Sequence, residues 1–165
     1  MFAFPNATGL VFTLTQEQID RGCRAAAESP RKRIILPVHR RQSDPMQRVI
    51  NFLQPGTYVR PHHHPRPGQV EFIHVLQGRM GILIFDPRGQ IEAVHDLSAG
   101  PLGVIDLEEG IWHSLVCLEP NTVITEAKMG PYDPQNDKFF AEWAPAESDP
   151  AAEDAVSKFL ACFQP

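Results

Sequence analysis

The stretch Gly56–His64, with the sequence GTYVRPHHH, decides the predicted fold and the predicted site of this protein. Alternate side chains of a β-strand lie on the same face, so His62 and His64 project together and His63 projects to the opposite face. A proline- and glycine-containing loop follows, and Glu71 then begins the next predicted strand. If His64 lies opposite Glu71 across this hairpin, two imidazoles and a carboxylate converge on one point.

Such a group of polar side chains inside a closed barrel would be costly to bury unless something satisfied it. A divalent cation does so directly, because imidazole nitrogen and carboxylate oxygen bind zinc, iron, manganese or nickel at about 2.0–2.2 Å. The segment Glu109–His113 places a further histidine at the start of a strand, just after a glycine turn. The sequence therefore predicts one divalent metal ion held by His62, His64, Glu71 and His113. An expression-tag remnant or a surface histidine patch is less favoured, because the glutamate and the distant histidine fall where a barrel would use them.

The chain from about Met46 to Lys128 consists of short segments rich in β-forming residues, separated by turns that contain proline or glycine. Frequent strands without long helices between them favour an all-β sandwich or barrel. Residues 8–14 are predicted to add a further strand at a sheet edge. The strands expected between Met46 and Lys128 cover residues 47–53, 57–64, 70–77, 80–86, 91–97, 102–107, 111–118 and 122–128.

Helices are predicted on both sides of the strand region. Thr15 and Gln18 have the spacing of a capping box, so a helix is expected from about Gln16 to Glu28. Asp149 is a natural N-cap before Pro150, and apolar residues then recur at helical spacing towards the C-terminal end. We expect this second helix to pack on the outside of the barrel.

Motifs of the cupin superfamily resemble two parts of this sequence. The first cupin motif is G-x5-H-x-H-x(3,4)-E-x6-G and the second ends in P-x-G-x-x-H-x3-N. The gap between His64 and Glu71 is longer than in the motif, Glu108 replaces the usual proline, and Cys117 replaces the usual asparagine. The matching residues are Gly56, His62, His64, Glu71 and Gly78 for the first motif and Gly110 and His113 for the second.

A more specific resemblance, over roughly residues 28–148, is to the WbuC-type cupin metalloproteins. It implies a mainly β, single-domain cupin (a double-stranded β-helix or jelly-roll barrel) with an N-terminal and a C-terminal helix packed outside. It also implies an association with bacterial surface-polysaccharide (O-antigen) biosynthesis. We expect an N-terminal arm and helix over residues 1–45, the barrel over 46–130 and a C-terminal extension over 131–165. The resemblance lies in Arg31, Arg33, His39, Gln47–Arg48, Gly56–Tyr58, Pro61–His62, Glu126–Asp133 and Lys138–Pro145.

Further polar residues are candidates for a wall around the metal ion. Tyr58 and Arg60 share strand parity with His62, which makes Tyr58 a candidate catalytic acid–base and Arg60 a candidate anion-binding group. Structural hydrogen bonds and cross-strand ion pairs are the competing interpretations. The candidate substrate-binding residues are Arg48, Arg60, Glu126, Lys128 and Tyr132.

Three histidines and one glutamate leave coordination positions open on the metal, as catalysis or ligand binding requires. The first hypothesis is a metal-dependent enzyme that acts on a small polar substrate, such as a sugar or a nucleotide-sugar. An Fe(II)-dependent oxygenase is the second, and a non-catalytic sugar- or metabolite-binding module is the third. A metal-independent sugar epimerase is a weaker option, because it would not need four convergent ligands.

Composition limits the partners. The net charge of −5 gives no general attraction to nucleic acid or to an anionic membrane. The basic stretch between Arg31 and Arg41 is either solvated surface or a rim that attracts an anionic substrate, such as a phosphate or a carboxylate. Three isolated cysteines, an opening unlike a signal peptide and the lack of roughly 18 consecutive apolar residues lead us to expect a cytoplasmic protein.

Apolar residues near the N-terminus suggest self-association. An arm that exposes so much apolar surface would bury it by strand exchange, so we expect a homodimer. The residues concerned are Phe2, Phe4, Leu10, Val11 and Phe12.

Overall fold

The structure, a computed structural model, describes residues 3–164, so Met1, Phe2 and Pro165 lie outside the described residues. Two helices and ten strands form in the described part of the chain. The helices are α1 (Gln16–Glu28) and α2 (Ala151–Ala161). The strands are β1 (Arg33–Pro37), β2 (Met46–Leu53), β3 (His62–His63), β4 (Glu71–Gln77), β5 (Arg79–Phe85), β6 (Ile91–Ser98), β7 (Val104–Leu107), β8 (Trp112–Cys117), β9 (Thr122–Met129) and β10 (Phe139–Phe140).

The strands form two five-stranded antiparallel sheets, in the orders β1-β2-β9-β4-β7 and β10-β3-β8-β5-β6. Burial alternates along β4, where Glu71, Ile73 and Val75 point between the sheets and are buried. Phe72 and Leu76 point outwards and are about 40% exposed. The two sheets therefore share one interior, and the predicted mainly β architecture is confirmed.

This interior is apolar at one end and polar at the other. The apolar end is a cluster of buried side chains contributed by both sheets, and it closes the barrel there. The polar end contains the histidines and the glutamate of the predicted metal site. The apolar cluster consists of Leu53, Ile73, Val75, Met80, Ile82, Leu97, Cys117 and Ile124.

Helix α1 begins and packs as the sequence predicts. The Thr15 hydroxyl accepts a hydrogen bond from the backbone of Gln18, and the Gln18 side chain accepts one from the Thr15 backbone. The helix covers the outer face of β1, β2 and β9, where the Phe52 ring is fully buried. Gly22 permits this contact, because a Cβ atom there would lie 2.5 Å from the Phe52 ring.

The N-terminal arm differs from the prediction, because residues 8–14 form no strand. Gly9, with a φ of +76°, lies in a bend there that interrupts the extended chain. The arm instead lies along β1 of its own chain, where Phe4 N donates to Ile35 O at 2.8 Å. Phe4 and Phe12 pack against the cluster under α1, whereas Leu10 and Val11 stay exposed. The homodimer by strand exchange remains a prediction, and Phe2 lies outside the described residues.

Strands β1 and β10 were not predicted, and both lie outside residues 46–130 although they join the two sheets. The segment predicted as a strand over 57–64 is paired only at His62–His63. Helix α2 packs outside the second sheet as expected, and the Asp149 carboxylate accepts a hydrogen bond from Ala151 N at 2.9 Å. Neither helix in residues 3–164 has the length and apolar character that crossing a bilayer requires.

Candidate metal centre

The four predicted ligands converge at the polar end of the barrel. Their ligand atoms all lie within 4.8 Å of one another, and all four residues are buried. His62 on β3 is paired directly with His113 on β8, and their rings lie 4.4 Å apart. Glu71, the first residue of β4, comes from the opposite sheet. His64 therefore meets Glu71 across the barrel interior, not across the predicted hairpin.

The middle histidine of the triplet points away, as strand parity predicts. His63 lies on the other side of β3, where its ring is 4.3 Å from the Trp112 ring and 5.6 Å from the Phe139 ring. Strand β10 pairs with β3 at this point and covers its edge. The sequence HHH thus contributes two residues to the interior and one to an aromatic cluster.

Backbone carbonyls fix the orientation of all three inward histidines. His62 Nδ1 lies 2.9 Å from Arg60 O, His64 Nδ1 lies 2.6 Å from Asp137 O, and His113 Nδ1 lies 2.8 Å from Ile111 O. A carbonyl oxygen can only accept a hydrogen bond, so each Nδ1 carries the proton. In a neutral imidazole the Nε2 atom then presents a lone pair, the form in which histidine binds metals.

These lone pairs face other acceptors. His64 Nε2 lies 3.1 Å and His113 Nε2 lies 3.0 Å from the same Glu71 Oε2 atom. Neutral imidazole nitrogens and a carboxylate oxygen repel one another at such distances unless a cation lies between them. Moreover, His62 Nε2 is buried with no hydrogen-bond partner among residues 3–164. The four residues therefore fit a single divalent ion, which would satisfy all of these atoms at once.

The surroundings favour the protonation states that metal ligands need. Burial, reinforced by the nearby Lys138 and His113, lowers the pKa of His62 well below its usual value, so this imidazole is neutral. Burial alone would raise the pKa of Glu71, but His113 and His64 outweigh it and hold the pKa well below its usual value. Glu71 is thus anionic, as a carboxylate metal ligand must be.

The long loop between His64 and Glu71 is tied to the turn that precedes β8. Gly110 N donates to His64 O at 3.0 Å, and Gly68 N donates to the Glu109 carboxylate. Gly110 has a φ of +77°, a conformation that only glycine adopts without strain, so this turn depends on it. The four candidate ligands therefore converge despite the extra loop length and the missing proline at Glu108.

A cavity of about 460 Å³ extends from the cluster along the inner face of the first sheet. Of the predicted substrate-binding residues, Glu126, Lys128 and Tyr132 line it. Glu126 is largely buried beside Glu71, and its Oε2 accepts a hydrogen bond from Asn51 Nδ2 at 3.3 Å. Burial and the charge of Glu71 raise the pKa of Glu126 to about 7.

Lys128 is the cation of an ion-pair network in this cavity. Its Nζ lies 2.7 Å from Asp137 Oδ2 and 3.8 Å from Glu126 Oε1. Although burial opposes it, the charges of Glu126, Glu71 and Asp137 raise the pKa of Lys128, which stays protonated. The same Asp137 holds His64 through its backbone carbonyl, so this residue connects the network to the ligand cluster.

Tyr58 and Arg60 do not line the cavity, contrary to the prediction. Residues 57–61 are not a strand, so the parity that would place them beside His62 does not apply. The buried Tyr58 stacks on Phe159 of α2 and donates its hydroxyl to Pro145 O at 3.0 Å. Burial raises its pKa to about 12. Arg60 donates twice to Ala141 O, so both residues bind the C-terminal segment to the barrel.

Arg48 also lies away from the cavity. It is inside β2, where Gln47 and Val49 point inwards and Arg48 therefore points outwards. Its guanidinium lies 3.5 Å from Asp44 Oδ2, and its side chain is 44% exposed. The competing interpretation was a cross-strand ion pair; Arg48 does form an ion pair, but with Asp44, four residues earlier in the chain, and not with a neighbouring strand.

Several cavity residues were not among the predicted site residues. Arg31, Arg33 and His39 come from the basic stretch, for which an anion-attracting rim was one of two interpretations. Asp137 and Lys138 come from the segment that leads into β10, where no periodic pattern indicated a position. The charged and aromatic residues after Asp133 were the only hint in the sequence that this segment belongs to the site. They did not indicate which side chains point into the barrel.

Arg33 and Glu147 close the cavity at its side. The Arg33 guanidinium is paired with the Glu147 carboxylate and donates to Tyr58 O at 2.7 Å, and Arg31 Nε lies 2.9 Å from Glu147 Oε2. Burial alone would raise the pKa of Glu147, but Arg33 and Arg31 outweigh it and lower the pKa below its usual 4.5. The C-terminal segment is therefore held on the barrel by charge as well as by Tyr58.

This pair gives the protein a stability that depends on pH. A carboxyl group whose pKa is lowered by folding stabilises the folded state above its unfolded pKa of about 4.5, and this contribution is lost as the pH falls through the folded pKa. We expect Glu147→Gln to melt at a lower temperature than the wild type at pH 7. The difference in melting temperature between the two proteins should shrink as the pH falls from 5 to 3, roughly the range in which carboxyl groups titrate. Thermal unfolding at stepped pH measures it. A constant difference across this range would contradict the assignment.

The model of one protein family matches residues 14–97, about half of the chain, including His62, His64 and Glu71. Its description is "Domain of unknown function (DUF6016)". The chain belongs to this family. No curated protein matches this DUF6016 chain.

Solved structures resemble the DUF6016 chain over about two thirds of its length. KdgF from Halomonas sp. is 19% identical with a TM-score of 0.51, and the match covers 65% of this chain and 86% of KdgF. The oxalate decarboxylase of Lactobacillus farciminis is 24% identical with a TM-score of 0.50, over 64% of this chain and 30% of the enzyme. The capsular polysaccharide assembling protein CapF from Staphylococcus aureus is 25% identical with a TM-score of 0.51, over 61% of this chain and 27% of CapF.

These neighbours share the cupin fold, so the predicted fold class is confirmed for the DUF6016 chain. The chain spans less than a third of the oxalate decarboxylase and of CapF. The likeness to these two proteins therefore concerns only part of each. Together with the buried histidine–glutamate cluster, it supports a metal-binding cupin.

Proposed function

We propose that this protein is a metal-dependent enzyme that acts on a small polar substrate, a sugar or a nucleotide-sugar, in its barrel cavity. The observation that carries the proposal is the convergence of three Nε2 lone pairs and one carboxylate at the inner end of a cavity lined by polar side chains. When bound, a divalent ion there supplies a Lewis acid that polarises a substrate oxygen. A purely structural site would be closed by its ligands, whereas this one opens into the cavity.

Protein groups beside the cluster supply the rest of the chemistry. Glu126 lies next to Glu71 and outside the set of four ligands, so its carboxylate is free to take a proton from the substrate and return it. Asn51 holds Oε2 of Glu126, and Lys128 lies near Oε1. This placement fixes the carboxylate in the cavity wall, which is what an acid–base group needs. Tyr58, the catalytic candidate from the sequence, does not line the cavity, and its hydroxyl donates to Pro145 O.

The assignment to surface-polysaccharide biosynthesis rests on two independent resemblances. The sequence resembles the WbuC-type cupins, which are associated with O-antigen gene clusters. The barrel is also similar to part of CapF, whose name describes a capsular polysaccharide assembling protein. Substrates of such pathways are sugars and nucleotide-sugars, and a cavity of about 460 Å³ lies within the range of about 300–1,000 Å³ that holds ligands of that size.

The first experiment is elemental analysis of protein purified without chelator and without added metal. About one divalent ion per chain is expected, and its absence, together with a failure to bind added zinc, manganese, nickel or iron(II), would contradict the proposal. Iron as the resident metal, with oxygen uptake in the presence of a substrate, would instead identify an Fe(II)-dependent oxygenase. Substrate binding without turnover would identify a binding module.

Glu126→Gln tests the acid–base role directly. The amide is isosteric with the carboxylate but accepts no proton, so we expect the metal content to stay near one per chain while kcat falls about 100-fold or more. Turnover of a sugar or nucleotide-sugar panel is followed by mass spectrometry. Glu92→Gln, an exposed position on β6, is the matched control and should leave kcat unchanged. An unchanged kcat in Glu126→Gln would remove this residue from the mechanism.

A further inference from the structure

We infer that the substrate carries a carboxylate group and that Lys138 binds it. This inference rests on the proposed function and names the class of substrate for the same cavity. The observations behind it are an ammonium group without an ion pair, the charge of the cavity lining, and a buried histidine nitrogen without a partner in the described chain. The first two point to an anionic ligand, and the third points to a ligand that also carries hydroxyl groups.

The Lys138 ammonium forms no ion pair with the described residues. It lines the cavity, where its charge acts on His62, Glu71 and Glu126, yet it makes no hydrogen bond or ion pair with any residue in 3–164. Lys128, on the same cavity wall, is bound to Asp137 at 2.7 Å. Burial and the charge of Lys128 lower the pKa of Lys138, and the carboxylates of Glu71, Glu126 and Asp137, which form no ion pair with it, offset this only in part. An anion in the cavity would supply the missing partner.

The charge of the lining leads to the same conclusion. Four basic side chains and four carboxylates line the cavity, so their formal charges cancel. A divalent ion at the cluster would bring the lining to a net charge of +2. A cavity that is partly closed to water favours a ligand that offsets such a charge. The basic side chains are Arg31, Arg33, Lys128 and Lys138, and the carboxylates are Glu71, Glu126, Asp137 and Glu147.

His39 supplies a second polar atom without a partner. It lines the cavity, is only 2% exposed, and its Nε2 has no hydrogen-bond partner within the described chain. His39 Nδ1 lies 3.0 Å from Arg48 O, which can only accept, so Nδ1 carries the proton and Nε2 presents a lone pair. A buried lone pair without a donor is costly, and a hydroxyl group of the ligand would satisfy it.

A carboxylate fits this set of groups better than a phosphate. Arg31 and Arg33 are paired with Glu147 and Lys128 with Asp137, so Lys138 is the one of the four basic side chains in the lining that forms no ion pair with a described residue. Both helices lie outside the barrel, so no helix N-terminus offers backbone donors to a phosphate in the cavity. One ammonium matches the single charge of a carboxylate, and a sugar acid has hydroxyl groups left for the metal and for His39.

The test compares uronates with their uncharged parent sugars. Binding of D-glucuronate, D-galacturonate, D-glucose and D-galactose to the metal-loaded protein is measured by calorimetry, with glucose 6-phosphate as the phosphate probe. We expect at least one uronate to bind about tenfold or more tightly than its parent sugar. Lys138→Gln should remove that preference while the metal content and the weak binding of the parent sugar persist. Lys158→Gln on the exposed face of α2 is the matched control and should behave as the wild type.

Each contrary outcome has its own meaning. If neither uronate exceeds its parent sugar in the metal-loaded wild type, or if glucose 6-phosphate alone binds, the carboxylate inference is overturned while the metal-dependent function can still stand. The same holds if Lys138→Gln keeps the full uronate preference. The wild-type comparison does not depend on how well the variant folds. Failure of the protein to take up metal at all would instead overturn the proposed function.

Discussion

His62→Ala is expected to abolish stoichiometric metal binding, whereas His63→Ala, one residue away, is expected to leave it intact. His62 Nε2 points into the cluster and has no other partner among the described residues, so its loss leaves three ligands in place of four. His63 lies against Trp112 on the opposite side of β3. The metal content of the two purified variants, measured by plasma mass spectrometry, should therefore fall from about one per chain to near zero in the first and remain near one in the second.

The pair of variants is informative because the two residues share chemistry, strand and near neighbours. Glu71→Gln extends the test to the ligand from the opposite sheet, since the amide removes the negative charge and keeps the shape. We expect its metal affinity to fall at least about 100-fold, more than the loss typical of residues that only support the ligands. Stoichiometric metal in His62→Ala, or loss of metal in His63→Ala equal to that in His62→Ala, would contradict the assigned site.

Phe52→Ala is expected to cost about 3–5 kcal/mol of the free energy of unfolding, the range for large aromatic residues in well-packed cores. Its ring is fully buried between α1 and the first sheet, 6.4 Å from the Phe4 ring and in close contact with Gly22. The cavity left behind cannot collapse easily, because a helix on one side and a hydrogen-bonded sheet on the other fix its walls. Urea unfolding followed by circular dichroism measures the loss.

Phe72→Ala is the matched control for this prediction. Phe72 also lies on the first sheet, but on the uncovered outer face of β4, and it is 40% exposed. Phe72→Ala should lower the free energy of unfolding by clearly less than Phe52→Ala does, because part of the Phe72 ring is already in water in the folded state. Equal losses for the two variants would show that α1 contributes little to the stability of the barrel.

The loss of stability in Phe52→Ala and the loss of metal in His62→Ala should be independent of each other. Phe52 lies on the outer face of the first sheet, whereas the cavity lies on the inner face. A folded Phe52→Ala protein should therefore keep its metal at moderate temperature, and His62→Ala should keep most of its stability measured without metal. The two effects are independent because the first sheet is covered by α1 on its outer face and carries the candidate metal site on its inner face.

Tertiary structure alone decided the positions that depend on contacts between distant segments. Tyr58 and Arg60 were placed in the cavity by strand parity, but residues 57–61 do not form a strand, so the parity has no physical basis there. Lys138 and Asp137 reach the cavity because the segment after β9 folds back over the barrel mouth and pairs with β3 through β10. Single residues in an irregular segment carry no periodicity, so their direction cannot be deduced from local sequence.

The sequence by itself predicted the four candidate metal ligands and the fold class. The alternation of side chains on β3 separates His62 from His63, glycine and proline turns delimit β4 to β9, and the capping box starts α1 at its observed residue. These features are local, because they follow from backbone sterics and from a two-residue period. Tertiary structure decided how His64 meets Glu71. The two residues approach each other from opposite sheets and not within a hairpin, because only the packing of the two sheets brings their strands to one point.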